Sequence, residues 1–355
     1  MRLSIYIFCF SFCLFISCSE DTQEDPQLPR DYGVGMYIVT DLGISYYDYK
    51  SSTATVKNQI FNIVNNTTLL NPKKIKFNQN KAYIVAENTI SIVDIETFAD
   101  IGLISGFVNP VDIDFISSNR LFVVDQADSK VKVVDLDKLD VMGHIETGDS
   151  TNPVFILSNE TRSFVLNGGD GTFTNRDSTV ISIDYRDGVI PLANFSGDLY
   201  VGYNPTSAIM YFNPYILCKG VYDIDDPANN TESSFYMING ATNLVLNSTV
   251  LTGIYNANNL VANGTGSFLY FTAVDGIYRI NSNSLSYSSV LTNQSNVMAV
   301  NQESYAINDS TNYPVSMLYL DDINSPNTIY KYNTYTSSFE DTITVNGNIR
   351  SISFY

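Results

Sequence analysis

The sequence has no tryptophan, one histidine and four cysteines among its 355 residues. The single histidine, His144, falls in a predicted outer strand, so zinc sites built from several histidines and Ser-His-Asp triads are excluded. Three cysteines lie within the first 18 residues, and Cys218 is the only later one. Cys218 belongs to an apolar run with no histidine near it in sequence. We therefore interpret it as a buried structural thiol.

Basic residues are also scarce. The chain has 19 Lys and Arg against 37 Asp and Glu, a formal net charge of −18. Nucleic-acid binding needs clustered cations, so this balance argues against it. It also argues against electrostatic adhesion to anionic membrane surfaces. A solvated acidic surface is the simplest interpretation, and attraction of cationic partners is the alternative.

What the chain does have is a repeat, in which an Asn introduces a short apolar strand. The seven copies are Asn71-Pro72, Asn109-Pro110, Asn152-Pro153, Asn204-Pro205, Asn258-Asn259, Asn296-Val297 and Asn348-Ile349. Their spacing of roughly 38 to 54 residues is typical of propellers and other repeat folds. Proline fixes φ and favours an extended conformation for the Asn before it, so each pair predicts a sharp turn between blades.

The clearest copy, residues 71–105, divides into four short segments rich in β-branched residues, separated by turn residues. The next copy matches it segment by segment. Four antiparallel strands in each repeat predict an all-β fold, a seven-bladed β-propeller of four-stranded antiparallel blades. The residues that follow each Asn pair share no chemistry, which indicates an architectural repeat. They are Lys73, Val111, Val154, Thr206, Leu260, Met298 and Arg350.

The two ends of the repeat complement each other. The first copy opens at Met36 without an inner strand, and residues 349–355 form a spare inner strand. We expect the C-terminal strand to pair with the N-terminal blade and close the ring, which removes exposed sheet edges. Blades five and seven are less regular, and blade seven offers two candidate second strands, 305–307 and 315–319. A count of six or eight blades stays open as the alternative.

The first residues have the pattern of a secretory signal. Arg2 precedes an apolar run over residues 3–16, which is too short to span a bilayer and typical of a secretory signal. The run ends in Leu14-Phe15-Ile16-Ser17-Cys18, which resembles the bacterial lipoprotein signal except for Phe15. The predicted organisation is a signal peptide over 1–17, a lipidated acidic tether over 18–32 and one propeller domain over 33–355.

The acidic residues after Cys18 resemble the surface-export signal of Bacteroidetes lipoproteins. That resemblance implies a palmitate-type lipid anchor on Cys18 and display on the outer face of the outer membrane. Periplasmic display and an ordinary disordered linker are the alternatives.

One long loop is the candidate ligand-binding segment. It lies between the second and third strands of blade four, over residues 167–178, and long loops in compact repeats are often functional. The candidate residues are Asp170, Phe173, Asn175, Arg176 and Asp177, which combine an aromatic face, a cation and acceptors. A decorated loop without a ligand is the alternative. The acidic cluster over 223–226 lacks calcium-loop spacing and indicates a solvated turn.

Charges also recur on two predicted inner strands. Lys74 and Lys76 occupy the same positions as Asp112 and Asp114 one repeat later. Inner strands lie between neighbouring blades, so charges there need partners. We expect these four residues to form an ion network between blades or along the channel.

The segments over 82–94 and 109–113, together with 43–49, resemble the YncE-like seven-bladed propellers. With the lipoprotein signal, the whole resembles the surface propeller lipoproteins of Bacteroidetes. That resemblance implies capture of a nutrient such as cobalamin for a TonB-dependent outer-membrane transporter. We therefore expect a monomeric, non-enzymatic surface protein that binds its ligand at the propeller mouth, with no cofactor and no resident metal. The alternatives are a propeller hydrolase or lactonase with a carboxylate-bound metal, and an adhesin or scaffold without a small ligand.

Overall fold

The computed structural model describes residues 29–148, 151–185, 194–292, 295–308 and 311–355. Within these residues, seven antiparallel sheets are formed, six of four strands and one of three. The predicted signal peptide, Cys18 and most of the acidic tether lie outside the described residues. No helix in the described ranges is long and apolar enough to cross a bilayer.

Each blade runs outward from an inner strand. The inner strands are β3 (Lys74–Asn78), β7 (Pro110–Ser117), β11 (Pro153–Ser158), β15 (Pro205–Met210), β19 (Asn258–Ala262), β23 (Val297–Asn308) and β27 (Ile349–Phe354). The second strands are β1 (Met36–Thr40), β4 (Lys81–Val85), β8 (Arg120–Asp125), β12 (Arg162–Asn167), β16 (Pro214–Cys218), β20 (Phe268–Ala273) and β24 (Thr311–Asp322).

The outer half of each blade completes the sheets. The third strands are β2 (Gly43–Tyr47), β5 (Ile90–Asp94), β9 (Lys130–Asp135), β13 (Thr179–Asp184), β17 (Ser234–Ile238), β21 (Gly276–Asn281) and β25 (Ser325–Asn333). The outer strands are β6 (Asp100–Ile104), β10 (Asp140–Glu146), β14 (Asn194–Tyr200), β18 (Val245–Val250), β22 (Tyr287–Leu291) and β26 (Ser338–Thr344). The helical elements are α1 (Ile60–Asn65) and two 3₁₀ turns, Gln126–Asp128 and Pro227–Asn229.

The seven inner strands form a closed ring, because each contacts the inner strand of the next blade and β27 contacts β3. β27 also pairs antiparallel with β1, with Phe354 opposite Met36 and Ile352 opposite Ile38. The seven-bladed propeller and its closure by the C-terminal strand are thereby confirmed. Two hydrogen bonds between the backbones of Gly35 and Tyr355, 3.1 and 3.2 Å long, continue this ladder past the strand ends.

Blade one departs from the four-stranded prediction. Its sheet contains β27, β1 and β2, and the place of an outer strand is taken by an isolated bridge between Tyr46 and Lys57. The chain between these residues is rich in Ser and Thr and has no alternating apolar pattern that would bury one face of a strand. Helix α1 follows, and its Ile60 and Phe61 side chains complete the core there.

Blade seven contains a hairpin longer than that of any other described blade. β23 and β24 each span 12 residues. The second strand of the blade is the 315–319 candidate, where Met317 and Tyr319 are almost fully buried. The 305–307 candidate extends the inner strand instead, and Tyr305 lies opposite Tyr313 in the hairpin.

The cores lie between blades, because alternate residues of one strand serve two neighbours. On β4, Ile84 packs toward blade one, in a cluster that includes Tyr37. Val85 on the same strand packs toward blade three, in a cluster that includes Leu121 and Val123. Burying each such side chain contributes about 1.5–3 kcal/mol, so the blades stabilise one another side by side.

The Asn-led turns differ from the expectation in one respect. Asn71, Asn152 and Asn204 have φ of 47°, 49° and 53°, so they are left-handed and not extended. Asn adopts this conformation more readily than most residues because its short side chain can bond nearby backbone. Here Asn204 Nδ2 donates to the Gly220 carbonyl at 2.7 Å. The proline bias was therefore outweighed by the side-chain bond.

In three other copies a carboxylate near the end of the second strand holds the Asn. Asp125 accepts from the backbone amide of Asn109 at 2.7 Å, and Asp321 accepts from that of Asn296 at 2.8 Å. Asp41 accepts from Asn348 at 2.7 Å in the same way. All these turns gather at one end of the ring, which we call the Asn-loop face. The first-to-second strand turns lie on the opposite face.

Candidate functional site

A channel runs along the axis of the ring between the inner strands. Its wide end opens on the face opposite the Asn loops and has a volume of about 610 Å³. Six inner strands line it, mostly with apolar side chains from their second halves. The lining residues are Ile75, Lys76, Phe77, Asp114, Phe115, Ile209, Leu260, Val261, Ala262, Met298, Ala299, Val300, Ile352, Ser353, Phe354 and Tyr355.

The narrow end lies toward the Asn-loop face and has a volume of about 350 Å³. Its lining contains the cations Lys74, Lys76 and Arg350. Both ends share residues at mid-channel, among them Ile75 and Met298. The two volumes therefore form one continuous channel, with aromatic side chains at its wide end and Lys74 and Arg350 at its narrow end.

The four charges predicted to pair across blades do lie together beside this channel. Lys74 Nζ is 2.8 Å from Asp112 Oδ1, and Lys76 Nζ is 3.3 Å from the same oxygen and 3.7 Å from Asp114 Oδ1. The Asp112 side chain is fully buried, whereas the two lysines are about one-quarter exposed. The ammonium groups also lie over the Phe155 ring, Lys74 at 4.8 Å from its centre.

The pKa values of the two aspartates in this network shift in opposite directions. Burial alone would raise the pKa of Asp112, but the adjacent Lys74 and Lys76 outweigh it and hold that pKa below its usual value. Asp112 also accepts a bond from the amide of Ile156 in the next blade at 3.1 Å. For Asp114, burial outweighs Lys76 and raises the pKa. Asp112 is thus engaged on both oxygens and ties three blades together.

Two of the seven residues that directly follow the Asn pairs, Arg350 and Lys73, do share chemistry, because both are cations bound to the next Asn-Pro turn. This corrects the sequence-based interpretation. Arg350 donates to Asn71 Oδ1 and to the Pro72 carbonyl, the latter at 2.8 Å. One blade on, Lys73 donates to Asn109 Oδ1 at 2.6 Å and to the Pro110 carbonyl at 2.7 Å. Equivalent cations therefore clasp the next Asn-Pro turn. The sequence showed both residues, but only the ring places each turn within reach of the preceding blade.

The predicted ligand-binding loop of blade four is internally bonded. Asp170 accepts from Asn175 Nδ2 at 2.7 Å and from the Thr172 hydroxyl at 2.7 Å, bonds that lower the pKa of Asp170. The Arg176 guanidinium stacks on the Phe173 ring, 4.0 Å from its centre. The groups that we predicted to face a ligand therefore bond one another and hold the loop in shape.

Asp177, the fifth loop candidate, accepts from the Thr179 amide at 2.7 Å. It lines a separate surface cavity of about 510 Å³ beside Thr147. None of the five candidates lines either end of the channel. Their ligand-binding role stays a prediction, and the channel is a second candidate site that the loop residues do not reach.

The remaining sequence candidates have ordinary surroundings. Cys218 is fully buried, and burial raises the pKa of its thiol to about 12. His144 lies in outer strand β10, as predicted, beside Glu146. The acidic turn is exposed and bonded to itself, with Asp223 accepting from the Asp225 amide. In the part of the chain that the structure describes, no group of three His, Cys, Asp or Glu is placed to hold a metal.

Sequence reasoning missed the aromatic lining of the wide end. A signal was available, because three inner strands carry an Ile followed two residues later by a Phe. These pairs are Ile75 with Phe77, Ile113 with Phe115, and Ile352 with Phe354. The same alternation is typical of a strand whose side chains pack in a core. Whether the Phe side chains reach the axis depends on the twist of each blade.

The fold and this channel define a seven-bladed β-propeller with a ligand-sized axial channel. No protein-family model matches the chain, and no curated protein matches its sequence. Solved structures match it in fold. A quinonprotein alcohol dehydrogenase-like protein from Bacteroides thetaiotaomicron aligns with a TM-score of 0.65 at 14% identity, over 90% of this chain and 78% of its own.

Two further structures show the same architecture. A proposed 6-phosphogluconolactonase from Bacteroides fragilis aligns with a TM-score of 0.63 at 11% identity, over 93% of this chain and 100% of its own. Apo AztD from Citrobacter koseri aligns with a TM-score of 0.52 at 9% identity, over 90% of this chain and 96% of its own. At these identities the likeness establishes the fold alone, because propellers host many functions.

Proposed function

We propose that this protein is a non-enzymatic binding protein that takes a small ligand with an apolar body into the wide end of its channel. The observation that carries the proposal is the cavity itself, about 610 Å³ and lined by aromatic and aliphatic side chains. Small-molecule sites typically have volumes of about 300–1,000 Å³ and mainly apolar walls with a few polar groups. Lys76 and Asp114 supply such polar groups at the wall.

The aromatic side chains at this end are held in place rather than loose. The Phe77 ring lies 5.2 Å from the Tyr355 ring, and Phe115 packs edge-on against Tyr83 at 4.8 Å. Tyr355 also donates through its hydroxyl to the Gln79 carbonyl at 3.0 Å. A preformed apolar wall loses little side-chain entropy when a ligand binds, which favours affinity.

The arrangement favours binding over metal-assisted hydrolysis. A hydrolytic metal would need carboxylates free to ligate it at the axis. Asp112 is buried and its oxygens are taken by two lysines and an amide, while Asp114 faces Lys76. Ligating a metal there would require breaking these ion pairs.

For the cellular role, we propose a lipid-anchored protein on the outer surface of the outer membrane that captures a nutrient for a TonB-dependent transporter. The support is the lipoprotein-type signal ending at Cys18, the acidic tether and the resemblance to surface propeller lipoproteins. A corrinoid is the ligand that this resemblance favours.

The binding proposal predicts a thermal shift that depends on the wide end. We would screen the purified protein against corrinoids, metal ions, glycans and the neutral dye N-phenyl-1-naphthylamine. Apolar ligands should raise the melting temperature, and Tyr355→Ala should weaken their binding about tenfold because it removes an aromatic wall. Tyr355 is 37% exposed, so this substitution should leave the fold intact.

Tyr335→Ala is the matched control, because Tyr335 is 59% exposed and lies outside the channel lining. It should bind like the unsubstituted protein. Absence of a shift with every corrinoid would remove the corrinoid version. Equal weakening by both substitutions, or no shift with any apolar compound, would show that the wide end is not the site.

The lipoprotein-type signal predicts that Cys18 anchors the protein in a membrane. Cys18→Ser removes the thiol that would carry the lipid, and acyl chains supply the membrane affinity of such proteins. The variant should leave the membrane fraction, whereas protease added to intact cells should digest the unsubstituted protein. Retention of the Ser variant in membranes would contradict lipidation at Cys18, and protection from protease in intact cells would contradict surface display.

A further inference from the structure

The narrow end of the channel has an unusual charge balance for this chain. Its lining contains Lys74, Lys76 and Arg350 and no Asp or Glu. The chain as a whole has a formal net charge of −18 and only 19 basic residues. Three of these few cations meet at one small cavity, and two of them, Lys74 and Lys76, are paired with Asp112 behind the wall.

Arg350 is the least compensated of them. It is exposed, and its acceptors in the described structure are neutral oxygens, those of the Asn71 side chain and the Pro72 carbonyl. Lys73 behind it likewise donates to neutral oxygens of Asn109, Pro110 and Glu87, the last through its carbonyl. Burial and then the charge of Arg350 lower the pKa of Lys73. An anion bound at Arg350 would offset the charge that acts on Lys73.

A neutral donor also lines the narrow end. The Thr206 hydroxyl is enclosed by protein atoms and does not reach it. The donor is the Asn259 side-chain amide, whose nitrogen lies 3.9 Å from the Met298 sulfur, a weak acceptor.

We propose that the narrow end binds an oxyanion, a carboxylate or a phosphate, carried by the same ligand whose apolar body occupies the wide end. The inference rests on the proposed function, because it assigns the ligand to amphipathic anions. Arg350 provides the charge, and the Asn259 side-chain amide, which lines the same end, provides a hydrogen bond. Ile75, Met298 and Ile352 line both ends, so one molecule reaches from the apolar wall to the cations.

The test compares two dyes that share one body. N-phenyl-1-naphthylamine is neutral, and 1-anilinonaphthalene-8-sulfonate adds a single oxyanion to it. Fluorescence titration of the purified protein should show the sulfonate binding about tenfold more tightly, the value of one charge-assisted hydrogen bond. Inorganic phosphate and acetate, added separately, should displace the sulfonate dye and not the neutral dye. The stronger competitor identifies the preferred oxyanion.

Three variants separate the two proposals. Arg350→Gln should remove the advantage of the sulfonate and leave the neutral dye unchanged, whereas Tyr355→Ala should weaken both dyes. Arg30→Gln is the matched control, because Arg30 is about 70% exposed and pairs with Glu96 away from the channel. It should alter neither.

Equal affinity for the two dyes, or equal weakening of both by Arg350→Gln, would overturn the anion site and leave the apolar site standing. Failure of both dyes to bind, or indifference of both to Tyr355→Ala, would overturn the proposed function and the anion site with it.

Discussion

Deleting residues 349–355 is expected to abolish folding of the whole ring. This segment is the inner strand of blade one, and β1 pairs with it along its length. Without it, Met36 and Ile38, which are fully buried, lose their cover, and the inner edge of β1 is left unpaired. Net folding stability is only about 5–15 kcal/mol, so loss of an inner strand and its interfaces exceeds it. Circular dichroism and limited proteolysis would report the loss.

A circular permutant provides the control. Moving residues 348–355 in front of Gly33 keeps every side chain of the strand. The new connection is short, because Tyr355 and Gly35 already exchange backbone hydrogen bonds at 3.1 and 3.2 Å. The former closure becomes an ordinary hairpin, and the permutant should fold like the unsubstituted protein. A truncated chain that folds cooperatively, or a permutant that does not, would contradict the role of β27 as the closing strand.

The second large effect is expected at Asp112. Asp112→Ala leaves the Lys74 and Lys76 ammonium groups without their buried partner and removes the acceptor of the Ile156 amide. Breaking a buried ion pair by removing one member typically costs about 3–5 kcal/mol. The variant should unfold at a correspondingly lower urea concentration. Asp114→Ala should cost less, because its side chain is 24% exposed and its distance to Lys76 is 3.7 Å.

The matched control removes both signs of charge. A triple variant, Asp112→Leu with Lys74→Met and Lys76→Met, should be far closer to the unsubstituted protein, because apolar groups of similar volume often replace buried ion pairs at little cost. A cost below about 1 kcal/mol for Asp112→Ala would show that solvent, not Asp112, stabilises the lysines.

The same network predicts how stability depends on pH. Because the lysines lower the pKa of Asp112 in the folded state, the ionised carboxylate stabilises the fold above the ordinary pKa of Asp, about 3.9. That contribution is lost as the pH falls through the lowered pKa. The stability difference between the unsubstituted protein and Asp112→Asn should therefore be constant near pH 7 and shrink below about pH 4. A difference independent of pH down to acid unfolding would contradict the assigned protonation state.

The candidate site was only partly predictable. Charges at Lys74, Lys76, Asp112 and Asp114 stood out because they recur one repeat apart on strands that must lie side by side. The loop around Arg176 stood out by its length, yet its polar groups bond one another. The wide end went unnoticed because Phe77, Phe115 and Phe354 have the same local pattern whether they face a core or the axis.

The sequence alone predicted seven blades, with six or eight as alternatives, and identified the strand that closes the ring. Those follow from local periodicity and from the position of an unpaired strand, which are properties of the chain order. The tertiary structure decided which side chains meet at the axis, because the channel brings together strands up to hundreds of residues apart. It alone placed Arg350 against Asn71, and thereby created a cationic end in an acidic protein.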